Sequence, residues 1–295
     1  MKLVRAGLVF ATAAATLAAP TRAEDIRLAP SSEDKWILNY AEQKCRLARY
    51  FGEEDDRYLM MLDQFQPGTH VTLTVAGDEM WRYAERDNVQ LELSPLFSNL
   101  SVYADSVSFG DFRTAIFLGL TIAPKHDGEP EHSRYDVSGL PHINASALEG
   151  DAALKFSRRS GSITFELPGL AAALNALNDC TRDLVYSWGL DLDSQDRMRR
   201  KAEPINFQEI AERISNSYPS RAFHEGEQAT LALRIIVDAD GSIEECQVNE
   251  ITSTRYLRSP ACDEFGDRAM FAPAEDANGK PIKSYYAATI GYRIN

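Results

Sequence analysis

Beyond its first 23 residues the chain has no uncharged apolar run approaching the ~20 residues that a bilayer-spanning helix requires. Basic residues are in the minority: 31 Lys and Arg stand against 44 Asp and Glu, a formal net charge of -13. Nucleic-acid binding needs Lys and Arg clustered against phosphate, so a nucleic-acid partner is excluded, and adhesion to anionic lipid is disfavoured on the same ground. The acidic excess reads as solubility through self-repulsion. Cysteine is confined to Cys45, Cys180, Cys246 and Cys262. No C-x-x-C pair and no zinc spacing occurs among them, which removes thiol redox chemistry and a structural zinc. The sequence also lacks a G-x-S-x-G nucleophile elbow, a Walker loop and a dinucleotide fingerprint following a strand.

The candidates for chemistry that do occur are weak. Five histidines are present, His70, His126, His132, His142 and His224. The stretch His126-Asp-Gly-Glu-Pro-Glu-His132 is the one that resembles a metal constellation. Its central Gly128 and Pro130 make a loop, unlike the preorganised helix of H-E-x-x-H, and a solvated acidic loop is the favoured reading. Asp238-Ala-Asp240-Gly241 lacks the remaining ligands of a calcium loop and reads as a hairpin turn. Glu53-Glu-Asp-Asp56 is a charge run of the solvated kind, and Ser160-Gly161-Ser162 a tight turn. Trp36, Trp81 and Trp188 are expected in a β-rich core. No catalytic residue, metal site or cofactor is assigned, and the chain is expected not to be an enzyme.

What is present begins at the N-terminus. Lys2 and Arg5 precede an uncharged stretch from Ala6 to Ala19, and Thr21-Arg22-Ala23 offers small residues where a signal peptidase inspects. This is the pattern of a secretory signal peptide over residues 1–23, with a mature protein starting near Glu24 in the periplasm. Losing Lys2, Arg5 and Arg22 takes the net charge from -13 to about -16. The competing reading is an uncleaved membrane anchor. In an oxidising compartment four cysteines point to disulfides, with three possible connectivities. Cys45–Cys180 with Cys246–Cys262 is expected, since each bridge then stays within one domain.

The fold class is α+β. Residues 24–190 are expected to form a β-rich domain of one antiparallel sheet closed by one helix. Val71-Thr-Leu-Thr-Val75 and Val89-Gln-Leu-Glu-Leu93 alternate with period two, and Ala115 to Ile122 is the continuous apolar run of a strand buried on both faces. After Pro168-Gly169, Leu170, Leu174, Leu177, Leu184 and Trp188 recur at helical spacing. Residues 191–205 are charged and nearly free of apolar side chains, and read as a linker. Residues 206–295 start with a helix capped by Asn206, its stripe made by Phe207, Ile210, Ala211 and Ile214. A strand over 230–237, a second over 242–248, a short helix over 260–269 and a last strand from Ser284 to Arg293 follow.

Four fragments punctuate that last region: Tyr218-Pro219, Val237-Asp-Ala-Asp-Gly241, Phe271-Ala-Pro-Ala274 and Asn278-Gly-Lys-Pro281. In this order and spacing the C-terminal third resembles the C-terminal domain of TonB-type energy transducers. The family often has Ser-Ser-Gly between the second strand and the helix; here Thr252-Ser253-Thr254 stands without the glycine. The resemblance implies a small antiparallel sheet with two short helices, and a role in binding periplasmic or outer-membrane proteins such as TonB-dependent receptors of Gram-negative bacteria. The family's inner-membrane helix and long proline-rich spacer, through which it couples to a proton-driven motor, are expected to be absent.

Such a module binds through its terminal strand, since an open edge presents unpaired backbone N–H and C=O groups to an extended peptide. The candidates are Ser284, Tyr286, Ala288, Ile290 and Tyr292, helped by Tyr218 and Pro219 at the entrance; Tyr286, Ala288, Ile290 and Tyr292 share one face. A homodimer, or the first domain, is the alternative occupant of that edge. The leading expectation is thus a periplasmic protein-binding protein linked to outer-membrane transport. The alternatives are a membrane-anchored TonB transducer and a periplasmic hydrolase using His126 and His132.

Overall fold

The computed structural model describes residues 24–83, 89–123, 139–159, 161–252, 254–257, 261–268 and 270–294. The signal-peptide expectation for residues 1–23 and the loop from His126 to His132 lie outside the described residues, as do Ser160 and Ser253. Strands β1 (Glu24–Leu28), β2 (Ile37–Ala41), β3 (Lys44–Phe51), β4 (Tyr58–Gln64), β5 (His70–Ala76), β6 (Val89–Ser94), β7 (Phe97–Val102), β8 (Asp105–Phe109), β9 (Phe112–Thr121), β10 (Ala153–Arg158) and β11 (Gly161–Glu166) make up the first region. They form two sheets, ordered β1-β11-β10-β6-β7 and β2-β3-β4-β5-β9-β8. Every pairing is antiparallel except that of β1, which runs parallel to β11 from Glu24 opposite Gly161 to Leu28 opposite Phe165.

Two sheets replace the single sheet expected. Their inner faces share one core, with Leu91, Leu93, Phe156, Ile163 and Phe165 from one sheet and Leu47, Phe51, Tyr58, Met60, Leu73 and Ile116 from the other. The rings of Phe51 and Tyr58 meet Phe165 edge to face, centroids 5.3 and 5.9 Å away. Period-two alternation says that a strand has a buried face; it does not say which sheet the strand joins. The β9 run is buried on both sides, Ile116 in the shared core and Ala115 in a smaller cluster with Leu59 and Met61. Helix α1 (Leu170–Ser187) lays Leu170, Leu174, Leu177 and Leu184 onto the same core. The disulfide Cys45–Cys180 fastens it to β3.

The stretch 191–205 is packed structure. Helix α2 (Leu192–Asp196) and strand β12 (Glu203–Pro204) lie within it. Asp193, Asp196, Arg197, Arg199 and Arg200 are exposed, while Gln195, Met198 and Ala202 are buried. The inward side chains are few, one of them is the polar Gln195, and charged residues surround them, which is why the segment reads as a linker. It also ties the two regions together: Arg182 of α1 pairs with Asp196 at 2.6 Å, and Arg199 with Glu275 at 2.7 Å.

The remaining elements are α3 (Phe207–Asn216), α4 (Ser220–His224), β13 (Ala229–Val237), β14 (Ile243–Glu250), α5 (Ala261–Arg268), β15 (Phe271–Ala272), β16 (Ala274–Glu275), β17 (Pro281–Ile282) and β18 (Ser284–Tyr292). Strands β14, β13 and β18 form an antiparallel sheet in that order. Gly241 turns β13 into β14 at φ +85°, where an added Cβ would stand 2.5 Å from the Phe271 carbonyl oxygen. Ile210, Ile214 and Phe265 cover one face of the sheet through Leu231, Leu233 and Ile235. Cys246 of β14 is bonded to Cys262 of α5.

Two details differ from expectation. Among the described residues of 206–294 three short helices are present where two were expected, because Pro219 starts a further turn, α4, with its carbonyl accepting from Phe223 N. Asn206 makes no side-chain cap on α3; its carboxamide oxygen accepts the Met270 amide at 3.0 Å instead. The opposite face of the sheet rests on the first region, with Ile236 and Tyr285 against Val185, Trp188 and Leu190.

Candidate protein-binding edge

Strand β18 pairs with β13 over its whole length, from Ser284 opposite Val237 to Tyr292 opposite Ala229. On its other side no strand is paired among the described residues. Its sequence, Ser-Tyr-Tyr-Ala-Ala-Thr-Ile-Gly-Tyr, contains no charged residue and is rich in side chains suited to a pleated, half-buried surface. The far edge of the same sheet is built differently. Strand β14 carries Glu244, Glu245 and Glu250. Glu244 pairs with Lys283, Glu245 pairs with Arg234 at 2.6 Å, and the disulfide bolts the strand to α5. Charge and a covalent tie guard that edge.

Beside β18 runs a groove of about 300 Å³ between the strand and α3. Phe207, Ala211 and Ser215 of the helix form one wall, and Ala288 to Tyr292 of β18 with Arg293 beyond it the other, with Leu233 and Phe265 lining it as well. Phe207 and Ala211 thus leave the core stripe expected of them: Ile210 and Ile214 are buried, whereas Phe207 is 50% exposed. Ile205 and Met270 are exposed next to it, linked by an Ile205 N–H to Met270 carbonyl bond of 2.7 Å.

The predicted site residues fall into three groups. Ala288, Ile290 and Tyr292 line the groove, and Tyr218 closes its end, its ring edge to face with Tyr292 at 5.3 Å. The Tyr218 hydroxyl donates to the Glu227 carbonyl, and burial followed by the Glu227 charge holds its phenol above the ordinary value. Tyr286 packs deeper, its ring 6.0 Å from Phe265 and 5.6 Å from Phe271. Ser284 and Pro219 stand apart from the groove. Ser284 is fully buried, and its hydroxyl donates to Gln195 Oε1 at 2.6 Å, so its side chain is closed to a partner. Gln195 also donates to the Lys283 carbonyl at 2.9 Å, which fixes where β18 begins.

Sequence reading misses Phe207, Thr289 and Gly291. Thr289 and Gly291 are exposed on β18, and an added Cβ at Gly291 meets nothing within 4 Å. The absence of charge across nine residues of β18 is the signal that was available. Chemically, such an arrangement offers backbone donors and acceptors along one line and an apolar trough beside them. It is an arrangement that can accommodate an extended chain.

Neither the curated proteins nor the solved structures yield a match to this chain. Residues 215–294 match the family model described as Gram-negative bacterial TonB protein C-terminal. From the end of α3 through β18 the chain therefore carries a TonB-like domain; domains of that family are non-catalytic interaction modules of the cell envelope.

Proposed function

We propose that this is an exported periplasmic protein whose TonB-like domain captures an extended segment of an envelope protein, such as a TonB-dependent receptor, as an added strand on β18. Residues 24–190 serve as a separate binding or scaffolding unit. The contrast between the two edges of one sheet carries this reading: β14 is guarded by three glutamates and a disulfide, whereas β18 is uncharged over nine residues. Backbone hydrogen bonds supply affinity, and alternate side chains of the guest enter the groove beside Phe207 and Ile290.

Deleting β18 is a poor test, because it would strip the nine-residue partner from β13. The Thr289→Lys/Gly291→Lys variant keeps the strand and places two cations on its open edge. In pull-downs from periplasmic and outer-membrane fractions, the full chain is expected to retain partners that this variant loses. Unchanged partners would sink strand addition. Intact mass of protein recovered from cells is expected to place the N-terminus at Glu24; retention of residues 1–23 would favour the anchored alternative.

A further inference from the structure

The face that β18 turns towards α3 is uneven. Tyr286, Ala288, Ile290 and Tyr292 share it, because alternate residues of a strand point the same way. Tyr286, Ile290 and Tyr292 are large and pack on the core of the domain. Ala288, between them, is small. Directly across the pairing from Ala288 stands Leu233 of β13, itself 1% exposed, and it lines the groove beside the strand. The helix wall is uneven in the same sense. Phe207, Ala211 and Ser215 follow at four-residue spacing and so share one side of α3, and only the first is bulky. Phe265 bounds the groove as well, its ring 6.0 Å from that of Tyr286. The result is an apolar recess with Leu233 and Phe265 at its base, Phe207 on one wall and short side chains at Ala211 and Ala288.

A strand added to β18 would put the residue opposite Ala288 on this same face, its Cβ about 5 Å from that of Ala288. Among the described lining residues only Arg293 is charged. It lies beyond the strand and is held by Asp105 at 3.1 Å and by the Ala229 carbonyl at 3.0 Å. We infer that the guest strand places one bulky apolar side chain, of the Phe or Leu kind, opposite Ala288, where it fills the recess and sets the register. A slip by one residue turns that side chain to the other face, which carries Thr289 and Gly291. A slip by two sets it against Tyr286 or Ile290, whose own side chains occupy the space. This inference rests on strand addition at β18, and its test separates the two.

The full chain is titrated with two peptides, acetylated and amidated, that share an eight-residue Val-Thr alternation. One carries Phe and the other Ser in place of a central Val. The Phe peptide is expected to bind about tenfold more tightly, the lower end of what burying one large apolar side chain gives. Ala211→Phe fills the recess from the helix side and should bring the ratio of the two affinities close to one. Phe207→Ser opens one wall at a half-exposed position and should lower the ratio as well. Glu212→Phe, at an exposed position of the same helix outside the groove, should leave it unchanged. Equal affinities for both peptides, each lost in Thr289→Lys/Gly291→Lys, would overturn the recess as the register site and leave strand addition standing. A Phe preference untouched by both Ala211→Phe and Phe207→Ser overturns it too. If the chain self-associates in sedimentation and Ala211→Phe dissolves the pair, the recess belongs to a second copy and the inference falls. Failure of both peptides to bind, or binding indifferent to the edge lysines, overturns both readings.

Discussion

Strands β14 and β18 border the same central strand, β13, and solve the problem of an exposed edge in opposite ways. An unpaired row of backbone groups invites any other chain to pair, so natural sheets blunt their edges with charge, bulges or a covering element. Strand β14 uses all three: Glu244, Glu245 and Glu250, an irregularity in its pairing near Ile236, and α5 fastened by Cys246–Cys262. Strand β18 uses none of them along its nine residues. The domain therefore has the means to protect an edge and withholds them from one side. An undefended strand is an aggregation hazard, so its persistence in this form argues for use.

The largest expected effect comes from undoing the defended edge. A bridge over 16 residues contributes about 3 kcal/mol in the chain-entropy account, so Cys246→Ser/Cys262→Ser is expected to lower the unfolding free energy measured in urea by about that amount. It also frees β14 from α5, and self-association in sedimentation should rise through that edge. If instead the variant stays monomeric while losing its envelope partner, the assignment of roles to the two edges is wrong.

A smaller effect follows from the charge pair behind β14. Arg234 is 6% exposed, stacks on Trp188 at 4.7 Å and reaches Glu245 at 2.6 Å. Glu245 is half exposed, so solvent screens part of the pair. Glu245→Ala leaves the buried guanidinium without its acceptor and is expected to cost about 2 kcal/mol. Arg234→Met/Glu245→Thr should recover most of that loss, since no buried charge is stranded. If the double replacement is as unstable as the single one, Arg234 contributes mainly by packing on Trp188 and the far edge is guarded by less charge than it shows.

The sequence already held much of this contrast, unevenly. The uncharged run from Ser284 to Tyr292, the turn at Gly241 and the two cysteine pairs were all readable, because period-two alternation, a left-handed glycine and an even cysteine count are local signals. The groove was not. Phe207 and Ile210 look alike on a helical stripe, and only the position of β18 decides that Ile210 enters the core while Phe207 faces the open trough. Ser284 reads as the first residue of an accessible strand; its hydroxyl instead donates to Gln195, 89 positions earlier in the chain, in a buried contact. Gln195 itself sits in a stretch so charged that it reads as a linker. The partition of the N-terminal strands into two sheets is hidden for the same reason, as β10 reaches back to β6 and β9 to β5. Local patterns report exposure along an element, and these features depend on contacts distant in sequence.

The smallest expected effect is the sharpest check on the comparison. Asn249 lies partly exposed on β14, where its side-chain oxygen accepts from Gln247 at 3.2 Å. A lysine there adds the same charge to the same sheet as Gly291→Lys adds on β18, but to an edge already guarded. Both are surface replacements, and each should shift stability by no more than about 0.5 kcal/mol. Partner capture should separate them: Asn249→Lys retains it and Gly291→Lys weakens it. Equal weakening would mean that the lysine acts through the overall charge of an acidic protein. Recognition would then be long-range and electrostatic, and falling sensitivity at high salt would confirm that. Only a loss confined to Gly291→Lys and persistent in salt ties recognition to the backbone of β18.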